Sequence, residues 1–252
     1  MRVRFLLVVV MTFALVACSG GNKDYSLTLD EAEVNGSGTL GLSVAERPVK
    51  AIVVYFHGAD QTARVIRDDE KHRNLFDPLL RQGYAVVAAD AGGNAFGNPS
   101  SRDEYRQLIL AARQKYGLRP MFFVAESMGA LAALALLGES HDRSVLGMVG
   151  ISPLIGLPSN ARAASFIKVP WGGTVPDKAD PMSWPSDVFA GRTFRFYLPD
   201  NDTVIPAGAT GEDFAARFGG TATVEIVNCS GGHVDSSCYR GTDVEEWMSG
   251  LL

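Results

Sequence analysis

Met121-Phe122-Phe123-Val124-Ala125-Glu126-Ser127-Met128-Gly129-Ala130-Leu131-Ala132-Ala133-Leu134-Ala135-Leu136-Leu137 is an apolar run interrupted at one place. Met121 to Ala125 reads as a buried strand and Ala130 to Leu137 as an apolar helix, so the polar pair Glu126-Ser127 falls on a tight strand-to-helix turn. A serine held there projects its hydroxyl above the sheet, beside backbone N–H groups and the positive end of a helix dipole. Small residues at Ala125 and Gly129 let such a turn approach the neighbouring strands.

Further β-rich runs lie at Tyr25 to Leu29, Gly38 to Val44, Ala51 to Phe56 and Tyr84 to Ala89 before this stretch. Val145 to Ile151, Thr193 to Leu198 and Thr223 to Val227 follow it. The first two runs flank the turn-like Asn35-Gly36-Ser37-Gly38 and predict an antiparallel start. The others alternate with predicted helices. One opens on the capping box Ser101-Arg102-Asp103-Glu104 and stops at Gly117, one spans Ala207 to Phe218, and one runs from Thr242 to Leu252. Near-continuous apolar strands alternating with helices predict a mostly parallel sheet covered on both faces, with ligands at the carboxyl ends of its strands.

Val53-Val54-Tyr55-Phe56-His57-Gly58-Ala59 carries an apolar strand into His-Gly. Together with Ala125-Glu126-Ser127-Met128-Gly129, which has alanine where Gly-x-Ser-x-Gly begins, it resembles the α/β-hydrolase superfamily from about Ala51 to Trp247. The resemblance implies an eight-stranded, mostly parallel sheet without a large cap domain. It also implies an oxyanion hole made of the Ala59 and Met128 backbone N–H groups, with His57 shaping the loop. The superfamily order is serine, acid, histidine. Pro199-Asp200-Asn201-Asp202-Thr203-Val204-Ile205-Pro206 resembles its Gly-x-x-Asp-x-x-Val-Pro loop; alignment on Pro206 selects Asp202, with Asp200 left as the alternative. Asn228-Cys229-Ser230-Gly231-Gly232-His233 resembles its terminal Gly-His, which makes His233 the base for Ser127. His72, in a charged stretch, and His141, in a polar loop, lie outside that order. Asp90-Ala91-Gly92-Gly93-Asn94 reads as a structural turn beside the pocket, and Asp235 as solvated.

Composition narrows the alternatives. The chain has 252 residues, 46% hydrophobic and 20% charged, which fits one globular domain. Its net charge of −5 has the wrong sign for a nucleic-acid surface. Three cysteines cannot fill a four-cysteine zinc site, no His-Glu-x-x-His occurs, and neither a metal nor another cofactor is expected.

Arg2 and Arg4, the apolar run Phe5 to Val16 and the small residue Ala17 have the form of an export signal over residues 1–17. That run is too short to span a bilayer. Leu15-Val16-Ala17-Cys18 resembles the lipobox of bacterial lipoproteins, which implies acylation at Cys18, a tether over residues 18–24, and a hydrolase domain over 25–252. The implied location is the bacterial cell envelope, on the outer side of the cytoplasmic membrane or on another envelope membrane. Such a compartment permits disulfides, so Cys229 and Cys238, which bracket His233, become a candidate pair.

Residues 152–192 break the alternation with six prolines (Pro153, Pro158, Pro170, Pro176, Pro181 and Pro185) plus Trp171 and Trp184. They read as an irregular insert over the strand ends or a packed connecting loop. The expected activity is that of a membrane-tethered serine hydrolase cleaving a small or lipid-like carboxylic ester. A peptidase or amidase of the same fold, and a noncatalytic ligand-binding lipoprotein, are the alternatives.

Overall fold

Alternate residues of Ala51-Ile52-Val53-Val54-Tyr55-Phe56 serve two different cores. Ile52, Val54 and Phe56 pack on one side of the sheet, and Ala51, Val53 and Tyr55 on the other. This period-two division with no polar face is what a strand covered on both sides requires. In the computed structural model, which describes residues 27–34, 37–140 and 143–252, eight strands form one sheet. They are β1 (Leu27–Val34), β2 (Ser37–Val44), β3 (Ala51–Phe56), β4 (Tyr84–Ala89), β5 (Met121–Glu126), β6 (Val145–Ile151), β7 (Thr193–Pro199) and β8 (Thr223–Cys229). Their order is β1-β2-β4-β3-β5-β6-β7-β8. β2 pairs antiparallel with both β1 and β4, and all pairs from β4 to β8 are parallel.

The helices are α1 (Val65–Asp68), α2 (Glu70–Arg81), α3 (Pro99–Tyr116), α4 (Gly129–Glu139), α5 (Ser159–Ala163), α6 (Ser165–Lys168), α7 (Gly211–Phe218) and α8 (Gly241–Ser249). On one face α3, α4 and α7 bring Leu108, Leu134 and Phe214 against the sheet. On the other, α2 and α8 contribute Leu75, Leu79, Val244 and Met248. Fully burying each such side chain contributes roughly 1.5–3 kcal/mol. Among the described residues no helix is long and apolar enough to cross a membrane.

Several boundaries differ from the sequence expectation. α3 begins at Pro99, ahead of the expected Ser101 box. The cap is Asn98, whose side-chain oxygen accepts the Ser101 N–H at 2.8 Å. Proline at the first helical position starts the helix early because its missing N–H is not needed there. β1 extends through the charged Asp30 and Glu31 as an edge strand paired only with β2. α7 starts at Gly211, where Thr210 and Asp213 form a capping box. The leader, Cys18, the tether, Tyr25 and His141 lie outside the described residues.

Residues 152–192 carry α5, α6 and two short 3₁₀ turns. Leu154, Leu157, Ile167 and Val175 from this segment pack with Phe96, Met128 and Leu131 in a third apolar cluster. The segment therefore has a core of its own, shared with the residue that follows Ser127.

Candidate active site

Ser127 occupies the turn between β5 and α4 with φ 47°, in the left-handed region that costs a non-glycine residue energy. Three backbone hydrogen bonds hold it there: Ser127 N–H to Ile151 O, and Ala130 and Leu154 N–H to Ser127 O, all at 3.0–3.1 Å. Gly129 is needed for close approach. A Cβ there would lie 2.2 Å from Phe56 O and 2.6 Å from His57 O. Ala125 is tolerated at the other small position, where its β6 neighbour is Gly150.

His233 Nε2 is 2.9 Å from Ser127 Oγ, and His233 Nδ1 is 2.8 Å from Asp202 Oδ2. Both side chains are largely but not wholly covered, 16% and 14% exposed. The second oxygen of Asp202 accepts the Val204 and Ile205 N–H groups, which fixes the carboxylate's orientation. Asp200 is not brought to the histidine. Its side chain is exposed and its N–H bonds Cys229 O. The expected serine, histidine and Asp202 thus converge from the ends of β5, β7 and β8, and Asn201 N–H to Gly231 O joins the acid loop to the histidine loop.

Cys229 and Cys238 are joined by a disulfide across the histidine loop, with Cα atoms 5.3 Å apart. Asp235 caps the 3₁₀ turn that contains Cys238, accepting the Ser237 N–H at 2.9 Å. Val234, beside the histidine, donates its N–H to the buried Ser152 hydroxyl. Opposite, the loop after β3 is shaped by His57, whose ring nitrogens lie 2.7 Å from Gly58 O and 2.8 Å from Asp90 O. Asn94 exchanges two hydrogen bonds with Asp60, so the Asp90 to Asn94 turn braces this loop. Among the described residues, no acceptor is bonded to the backbone N–H of Ala59 or Met128.

One cluster adjoining the site was missed from sequence. Glu126, adjacent to Ser127, is 2% exposed, and its carboxylate is a hub. Oε2 accepts from Tyr55 Oη at 3.0 Å and Tyr239 Oη at 2.6 Å, with His72 Nε2 at 2.9 Å, while Oε1 accepts from Gln61 Nε2. His72 is 1% exposed on α2, and its Nδ1 faces Asp69 at 2.7 Å. Burial pushes the Glu126 carboxyl up. Hydrogen bonds from His72 and Tyr239, with the charge of Lys71, outweigh it and hold the group below its ordinary value. Burial, then the Glu126 charge, pushes the Tyr55 and Tyr239 phenols up, so both remain donors. The charged stretch around His72 is an amphipathic helix whose inner face is Leu75, Phe76, Leu79 and Leu80. That spacing was the available signal.

No group of three or more His, Cys, Asp or Glu side chains among the described residues is arranged to hold a metal ion. The wound sheet and the groups gathered above its strand ends define an α/β-hydrolase. Residues 47–183, more than half of the chain, match the Hydrolase_4 model, serine aminopeptidase S33, and the protein belongs to that family. Solved structures share the fold at low identity. The esterase Pf2001 of Pyrococcus furiosus is 19% identical, with 92% of this chain and 94% of that one covered and a TM-score of 0.63. A cold-adapted esterase from an Arctic intertidal metagenomic library is 13% identical, with 95% and 99% covered and a TM-score of 0.61. The phospholipase YtpA of Bacillus subtilis (strain 168) is 30% identical over 121 residues, 45% of this chain and 44% of that protein. The match therefore spans less than half of the relative's length.

Proposed function

We propose that this hydrolase is a serine esterase in which Ser127 is the nucleophile, His233 the general base and Asp202 the group that orients the imidazole. The observation that carries this reading is the unbroken pair of contacts from Ser127 Oγ to His233 Nε2 and from His233 Nδ1 to Asp202 Oδ2, 2.9 and 2.8 Å long. His233 takes the serine proton as Oγ attacks the ester carbonyl, and the negative oxygen is received by the free N–H groups of Ala59 and Met128. Collapse breaks the ester C–O bond, the leaving alkoxide takes the proton from His233, and an acyl-enzyme remains. Water, deprotonated by His233, then releases the acid and restores the serine.

Esters are favoured over amides because the similar proteins include esterases and a phospholipase. The family's aminopeptidase description supports amide cleavage as a second reading. The lipobox-like Leu15-Val16-Ala17-Cys18 supports attachment to an envelope membrane through acylated Cys18.

A fluorophosphonate probe tests the nucleophile. Labelling of the wild type that disappears in Ser127→Ala is expected; labelling that persists in that variant overturns it, and a folded wild type that never labels indicates a noncatalytic binder. Turnover of a short-chain nitrophenyl ester in preference to an aminoacyl nitroanilide is expected, and the reverse order would establish the peptidase reading. Mass spectrometry of membrane-extracted protein should find acyl chains on Cys18 and none on Cys18→Ser.

A further inference from the structure

Glu126 faces away from the site it adjoins. The strand alternation turns Ala125 toward the α3 and α4 side and Glu126, like Val124, toward the α2 and α8 side, where its neighbours are apolar. A carboxylate in that layer is costly unless it is fully paired. Here it is paired: Oε2 takes His72, Tyr239 and the Tyr55 hydroxyl, which it shares with Gln61 Oε1, and Oε1 takes Gln61 Nε2.

Gln61, Tyr239 and His72 lead toward two loops of the proposed hydrolytic apparatus, while Tyr55 lies within β3. Gln61 also accepts the Gly58 N–H at 3.1 Å through its own oxygen, so it links Glu126 to the loop that presents the Ala59 amide. Gly58 lies so near that a Cβ there would sit 2.5 Å from Glu126 Oε1. Tyr239 follows Cys238, one end of the disulfide across the His233 loop. His72 sits on α2 beside Lys71, whose Nζ reaches Val234 O at 3.4 Å, next to His233. Glu126 itself is covalently joined to Ser127.

We infer that Glu126 is a positioning residue for the hydrolytic reaction, its one carboxylate setting the nucleophile turn, the oxyanion loop and the base loop relative to each other. The inference rests on the roles proposed above for Ser127, His233 and Ala59. Gln61 is the arm to the oxyanion loop and Tyr239 the arm to the base loop. Displacement of either loop degrades the transition-state contacts and leaves the substrate cleft unchanged, so the loss falls on kcat.

The test is steady-state kinetics on a short-chain nitrophenyl ester for Glu126→Gln, Gln61→Leu and the double variant, with Ser127→Ala as reference and melting curves recorded for each. Expected for Glu126→Gln is a kcat lower by about 10²-fold, the scale on which small misplacements act, with KM within about twofold. Gln61→Leu, which removes one donor from the buried carboxylate, should melt at a lower temperature but stay folded under assay conditions and lose about 10-fold in kcat. The double variant should be no slower than Glu126→Gln, because both changes cut the same link. Wild-type kcat in Gln61→Leu, or strictly multiplicative losses in the double variant, would overturn the inference even if Glu126→Gln fails to fold. Full activity in Ser127→Ala would instead remove the site reading on which it stands.

Discussion

The backbone N–H of Asn201 donates to Gly231 O at 3.0 Å, which clasps the loop of Asp202 to the loop of His233. The two loops come from the ends of adjacent parallel strands, and the clasp makes the carboxylate-imidazole pair a property of the sheet edge. Asp202→Asn should therefore leave the geometry intact while supplying the wrong partner to Nδ1–H. A fall in kcat of about 10⁴-fold is expected on a nitrophenyl ester. Asp200→Asn, at an exposed side chain, should stay near wild type, and equal losses in the two variants would show that the acid has been misassigned.

Gly129 tests the close packing of α4 on β3. The added methyl of Gly129→Ala meets two main-chain oxygens, Phe56 O and His57 O, and not the pliable end of a side chain. Overpacking against backbone should destabilise the fold by about 3 kcal/mol, read as a lower urea midpoint with unchanged slope.

Reduction of the Cys229–Cys238 bridge should lower stability by roughly 2.5–3 kcal/mol on the chain-entropy estimate for so short a loop. The melting temperature with and without dithiothreitol measures it, with thiol titration to verify that both sulfurs are free. An unchanged value after verified reduction would mean that neighbouring contacts hold the loop unaided.

Acid should weaken the fold through identifiable groups. Glu126 and Asp69 have carboxyls held below their ordinary values of 4.5 and 3.8. In both, burial raises the value and is outweighed, chiefly by the hydrogen bond with His72. Asp243 is also held below 3.8, with burial opposed by hydrogen bonds from Tyr197 and Arg195. Each binds its proton more weakly folded than unfolded. The stabilisation is thus complete above about pH 5 and is lost as pH falls through the depressed folded values. Urea unfolding at a series of pH values should show stability falling below pH 5, with a shallower fall in Glu126→Gln. Identical pH slopes would argue that the Glu126 charge plays no part.

Much of this was legible in the residues. Runs such as Val53-Val54-Tyr55-Phe56 announce strands buried on both faces, and the extreme apolarity of Leu131 to Leu137 leaves little room for anything but a buried helix. The Ser127, Asp202 and His233 positions were readable only through motif resemblance: spacing to Pro206 favours Asp202 over Asp200, while the contact that brings Asp202 to the histidine spans 31 residues. α2 was concealed by its charged opening and by Pro78 in its interior. Pro78 has no N–H for the Asn74 carbonyl, and Gly241 of α8 approaches that carbonyl so closely that a Cβ would lie 2.3 Å away. Tertiary packing thus offsets a local defect that argued against a helix. The Glu126 hub was hidden for a related reason. Its partners lie 54, 65, 71 and 113 positions away and share no periodicity.

The packing of Met128 beneath residues 152–192 separates two tasks that one loop could have carried together. Its amide is the one proposed to receive the oxyanion, while its side chain packs with a segment outside the eight-stranded frame. Changes confined to that segment should therefore alter what lies against the Met128 side chain and leave the strand ends in place.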